Sequence, residues 1–376
     1  MLSFKKKALS LLAEANITIN GDEPWDIQVH NEDLYARIFK GGTVAFGEAY
    51  MDGWWSVEKL DQFFEKIFAA RIDQKIKPLA VLPYTLKSIL SNPQKGKRSF
   101  EVADVHYDIG NDLYASMLDQ RMTYTCGYWS ATKDHPKAAT LDMAQENKLD
   151  MICKKIGLKA GDKVLDIGCG WGSFIRYAAE KYGAHCVGIS VSKEQVKLGN
   201  ETKGDLPIEF RLQDYRSINE KFDHIISIGM FEHVGYKNYK KYMQITHKNL
   251  KDDGLFLLHT IGTNVSIKKT DPWINKYIFP NSMLPSAKQI SKAVEKLFVI
   301  EDWHNFGVHY DYTLMAWHEN FKKSWPQLKE KYGERFYRMW EFYLLSSAAT
   351  FRTRKSQVWQ IVLSKNGKKG GYEQIR

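Results

Sequence analysis

Short apolar runs alternate with helix-sized segments in the chain from about residue 160 onwards. The runs cover 164–167, 186–189, 208–212, 224–228 and 255–258. Apolar runs of this length between helical segments are typical of parallel strands that are buried on both faces. Because the crossovers between such strands are right-handed, the pattern predicts an α/β fold with a doubly wound, mostly parallel sheet. Two later apolar runs are expected to add edge strands, over 297–302 and 358–363.

The first part of the chain lacks this alternation, and we interpret residues 1–85 as a smaller, mostly helical domain. Apolar residues recur there at helical spacing in 2–13 and again in 60–72. Residues 86–104 are polar and basic, so we interpret them as a linker. The remaining residues, 105–376, then form the larger second domain.

The composition is that of an ordinary globular protein with a basic charge. Of the 376 residues, 44% are hydrophobic and 26% are charged, which excludes disorder, collagen and coiled coil as the main architecture. Lys and Arg total 54 against 44 for Asp and Glu, and the net charge of +10 favours an anionic partner. Such a partner is a nucleic acid, an acidic membrane surface or a phosphorylated ligand.

The four cysteines lie at positions 126, 153, 169 and 186, and they form no Cys-x-x-Cys pair. This spacing argues against a zinc site and a disulfide framework, and we expect no bound metal. The N-terminal sequence does not have the apolar core of a signal peptide, and no apolar run reaches the ~18 residues that span a bilayer. We therefore expect a cytoplasmic protein whose contact with any membrane is peripheral.

A glycine-rich loop follows the first strand of the predicted sheet. Asp166 lies in that strand, and Gly168, Gly170 and Gly172 follow it in the pattern Gly-x-Gly-x-Gly. Glycines at this position let a ligand approach the backbone in the crevice at the strand ends. The loop resembles motif I of the class I S-adenosylmethionine-dependent methyltransferases, in which it passes the amino-acid part of the cofactor. The alternative is a tight turn between strand and helix that binds nothing.

Polar side chains also follow the second and third strands. Ser190, Val191 and Gln195 come after the second strand, where the serine and glutamine side chains can hydrogen-bond ribose hydroxyls. The alternative is that a serine of this segment merely caps the next helix. Gln213 and Asp214 follow the third strand and are candidates for the adenine edge, with a solvated turn as the alternative.

Several longer motifs together resemble the cyclopropane-fatty-acyl-phospholipid synthases of the bacterial fatty-acid type. They are HYDIGNDLY at 106–114, MTYTCGYW at 122–129, EHVG at 232–235, LHTIG at 258–262 and DPWINKYIFP at 271–280. The resemblance covers nearly the whole chain. It includes an N-terminal tract that the related, shorter mycolic-acid cyclopropane synthases lack.

The resemblance implies an enzyme that transfers a methylene group from S-adenosylmethionine to the cis double bond of an unsaturated acyl chain in a membrane phospholipid. In this family the alkene attacks the sulfonium methyl group, and the resulting carbocation loses a proton to a bound bicarbonate ion and closes to a cyclopropane. An alkene is a poor nucleophile, so such a site must supply alignment and a dry cavity. The alternative is a methyltransferase of the same fold that acts without ring closure.

The resemblance also implies the site residues. Bicarbonate would be held by Cys126, Glu232, His259, Ile261 and Tyr310, with Cys126 and Ile261 contributing backbone N–H groups. Tyr124 and Thr125 belong to the family's Tyr-Ser-Cys tract, in which threonine here replaces serine and keeps a hydroxyl for the cofactor carboxylate.

The expected partners are membrane phospholipids with unsaturated acyl chains and an anionic membrane surface at the inner face of the cell membrane. Nucleic acid is not an expected partner, and we expect a homodimer. Lys5, Lys6 and Lys7 on a short amphipathic helix are the predicted contact with lipid phosphates. The alternative is an ordinary solvated helix face.

Overall fold

A computed structural model of the chain describes residues 2–75, 110–131 and 136–376. The described residues form two compact units. The first contains residues 2–75 together with Lys268–Pro280 and Asp311–Ser356, and the second contains the rest. The predicted linker 86–104 and the motif residues 106–109 lie outside the described residues, so the linear domain division stays a prediction. The sequence pattern did not indicate that two later segments group with the N-terminal helices.

The helices and strands follow one another along the chain in this order. Before residue 76 they are α1 Leu2–Ala13, β1 Gln28–Val29, α2 Leu34–Met51, β2 Trp55–Ser56, α3 Leu60–Ala69 and α4 Ile72–Lys75. Then come α5 Asn111–Met117, α6 Leu141–Lys155, β3 Lys163–Ile167, α7 Ser173–Tyr182, β4 His185–Ser190, α8 Lys193–Thr202, β5 Ile208–Leu212, β6 Phe222–Ile228, α9 Tyr239–Asn249 and β7 Leu250–Thr263. The last are α10 Pro272–Tyr277, α11 Ala287–Val294, β8 Val299–Asn305, α12 Val308–Tyr332, α13 Glu334–Arg352 and β9 Ser356–Ser364, and short 3-10 turns cover Tyr215–Ser217 and Phe231–His233.

The second unit is built on a seven-stranded sheet in the order β5-β4-β3-β6-β7-β9-β8. The pairs from β5 to β7 are parallel, and the strand order reverses at β3, which pairs with both β4 and β6. All five predicted strands and the doubly wound α/β fold are confirmed. The reversal opens a crevice at the carboxyl ends of β3 and β6, where ligands of such sheets bind.

The prediction of two edge strands is wrong for one of them. β8 lies at the edge, but β9 lies between β7 and β8 and is buried along its whole length. The reason is visible in residues 358–363 of β9, which form a nearly continuous apolar run, broken at Gln360, rather than an alternating one. A continuous run is suited to a strand that is covered on both faces.

Apolar clusters cover both faces of the sheet. Leu165 and Ile167 of β3 belong to one cluster, whereas Val164 of the same strand belongs to the other. Since successive side chains of a strand point to opposite faces, burial of all three requires helices on both sides. The two layers hold the strand ends in fixed register.

The first unit is helical, with an aromatic core. Trp55 is buried and stacks on Phe46 with ring centroids 4.5 Å apart, and Phe342 of α13 packs against both. The glycine-rich tract after residue 40 was not predicted to be helical, yet it lies in α2, which bends at Gly42 with φ 62°. The predicted helix over 60–72 ends at Ala69 instead.

Across the described ranges, no helix combines the length and the apolar character that crossing a membrane requires.

Candidate active site

The glycine loop after β3 has three glycines in the left-handed region, with φ of 85° at Gly168, 57° at Gly170 and 89° at Gly172. A β-carbon at Gly168 would lie 2.7 Å from Met230, and one at Gly172 would lie 2.4 Å from the ring of Phe210. These two glycines are therefore required by packing within the protein. A β-carbon at Gly170 would meet nothing within 4 Å, so that position faces open space in which a ligand can approach the backbone.

Asp166 lies in β3, just before this loop, and is buried. Burial raises the pKa of its carboxyl to about 7, and the nearby Lys148 opposes the shift. Within the part of the chain that the structure describes, one of its carboxylate oxygens has no hydrogen-bond partner. A buried oxygen of this kind is normally completed by water or by a ligand.

The end of β4 carries a small polar cluster. Ser190 donates a hydrogen bond to Gln195 Oε1 at 2.9 Å, and Ser192 accepts one from the Gln195 backbone at 3.3 Å and so caps α8. The capping alternative is thus confirmed for Ser192. The side-chain nitrogen of Gln195 is buried and has no partner among the described residues, so a donor remains for a ligand. Val191 is half-buried, and its contact with a cofactor stays a prediction.

The polar residues at the end of β5 form hydrogen bonds within the turn that follows the strand. Asp214 accepts a hydrogen bond from the Arg216 backbone at 2.8 Å, and Gln213 donates to the Ser217 hydroxyl at 3.2 Å. The adenine contact of these two residues therefore stays a prediction. Leu212 immediately before them is 46% exposed. This apolar surface was not predicted, because the alternation of β5 places Leu212 on the same face as the buried Ile208 and Phe210.

The segment containing Tyr124, Thr125 and Cys126 is held by helix α6. Gln145 donates to the Thr125 carbonyl at 2.8 Å, and Lys148 donates to the Thr125 hydroxyl at 2.9 Å. The two α6 residues are three positions apart, so they lie on one face of the helix. Helix α6, for which no function was predicted, thus holds both the backbone and the side chain of Thr125, the middle residue of the three.

The same segment reaches the strand ends. A β-carbon at Gly229, directly after β6, would lie 2.7 Å from the Thr125 methyl group. The ring of Tyr114 lies between those of Tyr124 and Trp171, with centroids 5.1 Å from each. Since Trp171 belongs to the glycine loop, Tyr124 and Thr125 are brought close to the predicted cofactor crevice.

Glu232 and Ile261 form the centre of the predicted bicarbonate site. The Ile261 N–H donates to Glu232 Oε1 at 2.6 Å, while the other carboxyl oxygen has no partner among the described residues. Burial raises the pKa of Glu232 to about 7. The amide that was expected to bind bicarbonate therefore binds Glu232 in this structure.

His259 precedes Ile261 on β7 and is 2% exposed. Burial lowers the pKa of its imidazole well below the ordinary value, and the nearby Lys148 and Lys155 lower it further. Gln360 Nε2 lies 3.3 Å from His259 Nδ1. When Nδ1 accepts from this amide, the neutral ring carries its proton on Nε2 and can donate it to an anion.

Cys126 and Tyr310 complete the predicted set. Cys126 is buried, and its thiol donates to the Gly127 carbonyl at 3.2 Å, while the predicted contribution of its backbone N–H to an ion site stays a prediction. Tyr310 is buried in the first turn of α12, four residues after Phe306, whose ring packs 5.7 Å from that of His259. The role of Tyr310 in holding an ion stays a prediction.

Lys148 is the main site residue that the sequence analysis missed. It is buried, and it contacts Thr125. The signal was present in α6, where Ala144, Lys148 and Ile152 follow one another at intervals of four residues and are all buried. A lysine on the apolar face of a helix is rare unless a structural or chemical requirement holds it there.

The sheet and the site together are those of a class I S-adenosylmethionine-dependent methyltransferase. The order reversal, the open space at Gly170 and the unpartnered atoms of Asp166 and Gln195 fit that cofactor. The family described as mycolic acid cyclopropane synthetase matches residues 94–361, and the chain belongs to this family.

Individual relatives agree with this assignment. The chain is 48% identical over 370 residues to the cyclopropane-fatty-acyl-phospholipid synthase of Escherichia coli (strain K12), covering 96% of this chain and 94% of that protein. The cyclopropane synthase MmaA2 from Mycobacterium tuberculosis has a TM-score of 0.66 at 30% identity and covers 71% of this chain and 98% of its own. Mycolic acid cyclopropane synthase CmaA1 complexed with SAH and CTAB has a TM-score of 0.64 at 29% identity, with coverage of 71% and 98%.

Gly170→Val should abolish most of the binding of S-adenosylhomocysteine, with a loss of affinity of about tenfold or more. The added side chain would enter the open space at the loop and would also strain the left-handed backbone. Gly157→Val is the matched control, since Gly157 has φ 63° and open surroundings but lies after α6, outside the crevice. Isothermal calorimetry on both variants measures the effect, and equal affinities in the two would contradict the assignment.

Proposed function

We propose that this enzyme transfers a methylene group from S-adenosylmethionine to the cis double bond of an unsaturated acyl chain in a membrane phospholipid, and that the product is a cyclopropane ring. The observation that carries the proposal is the similarity to the bacterial phospholipid synthase, which extends over nearly the whole chain. It includes the N-terminal residues that the family match at 94–361 does not reach.

The buried site supports chemistry that passes through a carbocation. When bound, S-adenosylmethionine supplies an electrophilic methyl group, and an alkene attacks it only in a cavity that excludes water and competing nucleophiles. Cys126, Glu232 and His259 are each at most 5% exposed. The Cys126 thiol is hydrogen-bonded to the Gly127 carbonyl.

Proton removal is the step that we assign to the cluster around Glu232, with bicarbonate as the bound base. His259 Nε2–H donates to such an anion, and the unpartnered oxygen of Glu232 donates to it when that carboxyl is protonated. Because the Ile261 N–H already binds Glu232, we propose that bicarbonate shares this amide with the carboxyl oxygen. The pKa of about 7 for Glu232 allows it to lie beside an anion near neutral pH.

The decisive test of the proposed function is the chemical structure of the lipid product. Cells that express the chain should accumulate phospholipids in which an unsaturated acyl chain has gained one CH2 group, seen by mass spectrometry. Proton NMR should then show the high-field signals of a cyclopropane methylene and the loss of vinyl signals. A methylated product that keeps its double bond has the same mass, and finding it would support the ring-free alternative instead.

Glu232→Gln should slow ring formation by about 10² or more, the range for positioned acid–base groups, with little change in S-adenosylhomocysteine affinity. The apparent affinity of the wild type for bicarbonate should fall as pH rises through about 7, because the Glu232 carboxylate then repels the anion. The glutamine variant should lack this pH dependence. Initial rates in carbonate-free buffer with added bicarbonate measure both effects, and rates indifferent to bicarbonate would refute the assignment of the base.

We further propose that the protein acts at the inner, anionic face of the cell membrane as a cytoplasmic, peripheral homodimer. The net charge of +10 and the 46% exposed Leu9 on α1 support the membrane contact. Two lysines of α1 have contacts within their own unit, since Lys5 pairs with Glu32 at 2.8 Å and Lys7 lies 5.2 Å above the ring of Phe39. Light scattering of the purified protein tests the dimer.

Lys6→Glu with Lys7→Glu should weaken binding to vesicles of anionic phospholipid by about 2 kcal/mol, roughly 30-fold in affinity, at low salt. This pair leaves the Lys5–Glu32 ion pair intact. Lys322→Glu with Lys323→Glu makes the same change of charge on exposed positions of α12 and is the control. If both double variants bind vesicles as the wild type does in a sedimentation assay, α1 is not the membrane contact.

A further inference from the structure

Helix α6 carries two buried lysines, and they differ in their partners. Lys155 lies 3.6 Å from Asp302 and 3.0 Å from His304 Nδ1. Lys148 forms no ion pair with any residue that the structure describes, and its hydrogen bond goes to the neutral hydroxyl of Thr125 at 2.9 Å. A buried ammonium group without a close counter-charge is strongly unfavourable. An anionic ligand would give Lys148 a closer counter-charge than the described residues do.

The titratable groups that face Lys148 come from several elements. They are Asp119, Cys126, Asp166 and His259. Asp119 already accepts hydrogen bonds from the Thr123 backbone at 2.7 Å and hydroxyl at 3.1 Å. Asp166 is buried, and its pKa of about 7 leaves it partly protonated near neutral pH. Both carboxyls act on the ammonium group without forming an ion pair with it in the described part of the chain.

We propose that Lys148 is a positioning residue of the cofactor site: its ammonium group orients the Thr125 hydroxyl and attracts the carboxylate of the amino-acid part of S-adenosylmethionine. Because the Thr125 oxygen accepts from Lys148, its own hydrogen is directed away from the lysine and can be donated to that carboxylate. The inference rests on the assignment of Tyr124 and Thr125 to the cofactor. It adds to that assignment a positive charge, which the uncharged side chains of Tyr124 and Thr125 do not provide.

Bicarbonate is the other carboxylate-like anion at this site, and the contacts favour the cofactor over it. Lys148 donates to Thr125, which packs against Gly229 at the end of β6. Gln145, one turn earlier on α6, holds the carbonyl of the same threonine. Both α6 side chains therefore act on the residue assigned to the cofactor, whereas Glu232 and Ile261 of the bicarbonate site bind each other.

Lys148→Met tests the proposal with two probes, one that carries the amino-acid group of the cofactor and one that does not. S-adenosylhomocysteine carries the amino-acid carboxylate, and methylthioadenosine lacks the amino-acid group altogether. The variant should bind S-adenosylhomocysteine at least about tenfold more weakly, as expected for loss of a charge-assisted contact, and should bind methylthioadenosine as the wild type does. In turnover assays the KM for S-adenosylmethionine should rise more than kcat falls.

Lys155→Met is the matched control, because it removes a second buried lysine from the same helix, two turns from Lys148 and bonded to other partners. Its affinity for S-adenosylhomocysteine should equal that of the wild type. The cycle of Thr125→Val, Lys148→Met and the double variant should be non-additive, since the lysine acts partly through the threonine. Additive losses would overturn the positioning role.

A measurement on the wild type keeps the proposal testable if Lys148→Met does not fold. Burial lowers the pKa of Lys148 to about 8. Affinity for S-adenosylhomocysteine should therefore fall as pH rises through about 8, while affinity for methylthioadenosine should not.

The outcomes separate this inference from the assignment of the cofactor site. If neither probe binds the wild type, the cofactor site itself is wrong. If both bind but Lys148→Met loses affinity for both equally, or for neither, the lysine is structural and the inference fails. A variant that keeps its affinity for S-adenosylhomocysteine but needs more bicarbonate would show that the anion is bicarbonate, which also overturns the proposal.

Discussion

Removal of water from the carboxyl edge of the sheet is the constraint on which the rest of the site depends. Glu232, His259 and Lys148 are each at most 5% exposed. Burial raises the pKa of Glu232 and lowers the pKa of His259 and of Lys148, so it favours the neutral form of each group. A fully charged group at a dry position of this kind is costly unless it is paired. The shifts reduce this cost, although Lys148, with its pKa of about 8, is still mostly protonated near pH 7.

Two kinds of contact exclude water from this edge of the sheet. Apolar clusters on both faces hold the strand ends in register, and the reversal of strand order at β3 opens the crevice. Helix α6 then holds the 123–128 segment against the crevice through Gln145, Lys148 and the Ala144 carbonyl, which accepts from the Tyr128 N–H at 2.7 Å. The site is thus formed by a sheet edge and by a segment that lies before the sheet in the chain.

The parts of this arrangement that depend on local pattern could be predicted from the sequence. The five parallel strands and the glycine loop follow from apolar runs and from residues that permit a left-handed backbone. The position of β9 inside the sheet could not be predicted, because strand order is a matter of long-range pairing. The helix α2 was not predicted, because glycine is unfavourable inside a helix, whereas here Gly42 only bends the helix.

The polar contacts of the site were the least predictable part. The hydrogen bond between Ile261 and Glu232 forms because β7 lies beside the turn after β6. No local sequence pattern predicts this contact. The burial of Lys148 could have been predicted from its place on the apolar face of α6. Its role could not, because that role depends on contact with Thr125, which is 23 residues away in the chain. The family resemblance implied a set of site residues without giving these partners, and the roles of those residues stay predictions.

The pKa shifts also show that these groups reduce stability and are kept for another reason. The folded-state pKa of Glu232, about 7, lies above its ordinary value of 4.5, so its contribution to stability is present below 4.5 and is lost as pH rises through 7. The pKa of Lys148, about 8, lies below 10.5, so its burial is unfavourable below 8 and becomes harmless only as pH rises toward 10.5. Between pH 7 and 8 both groups therefore weaken the fold. A ligand that brings a carboxylate to Lys148, or an anion that accepts a hydrogen bond from Glu232, relieves part of this cost, and the relief adds to its binding free energy.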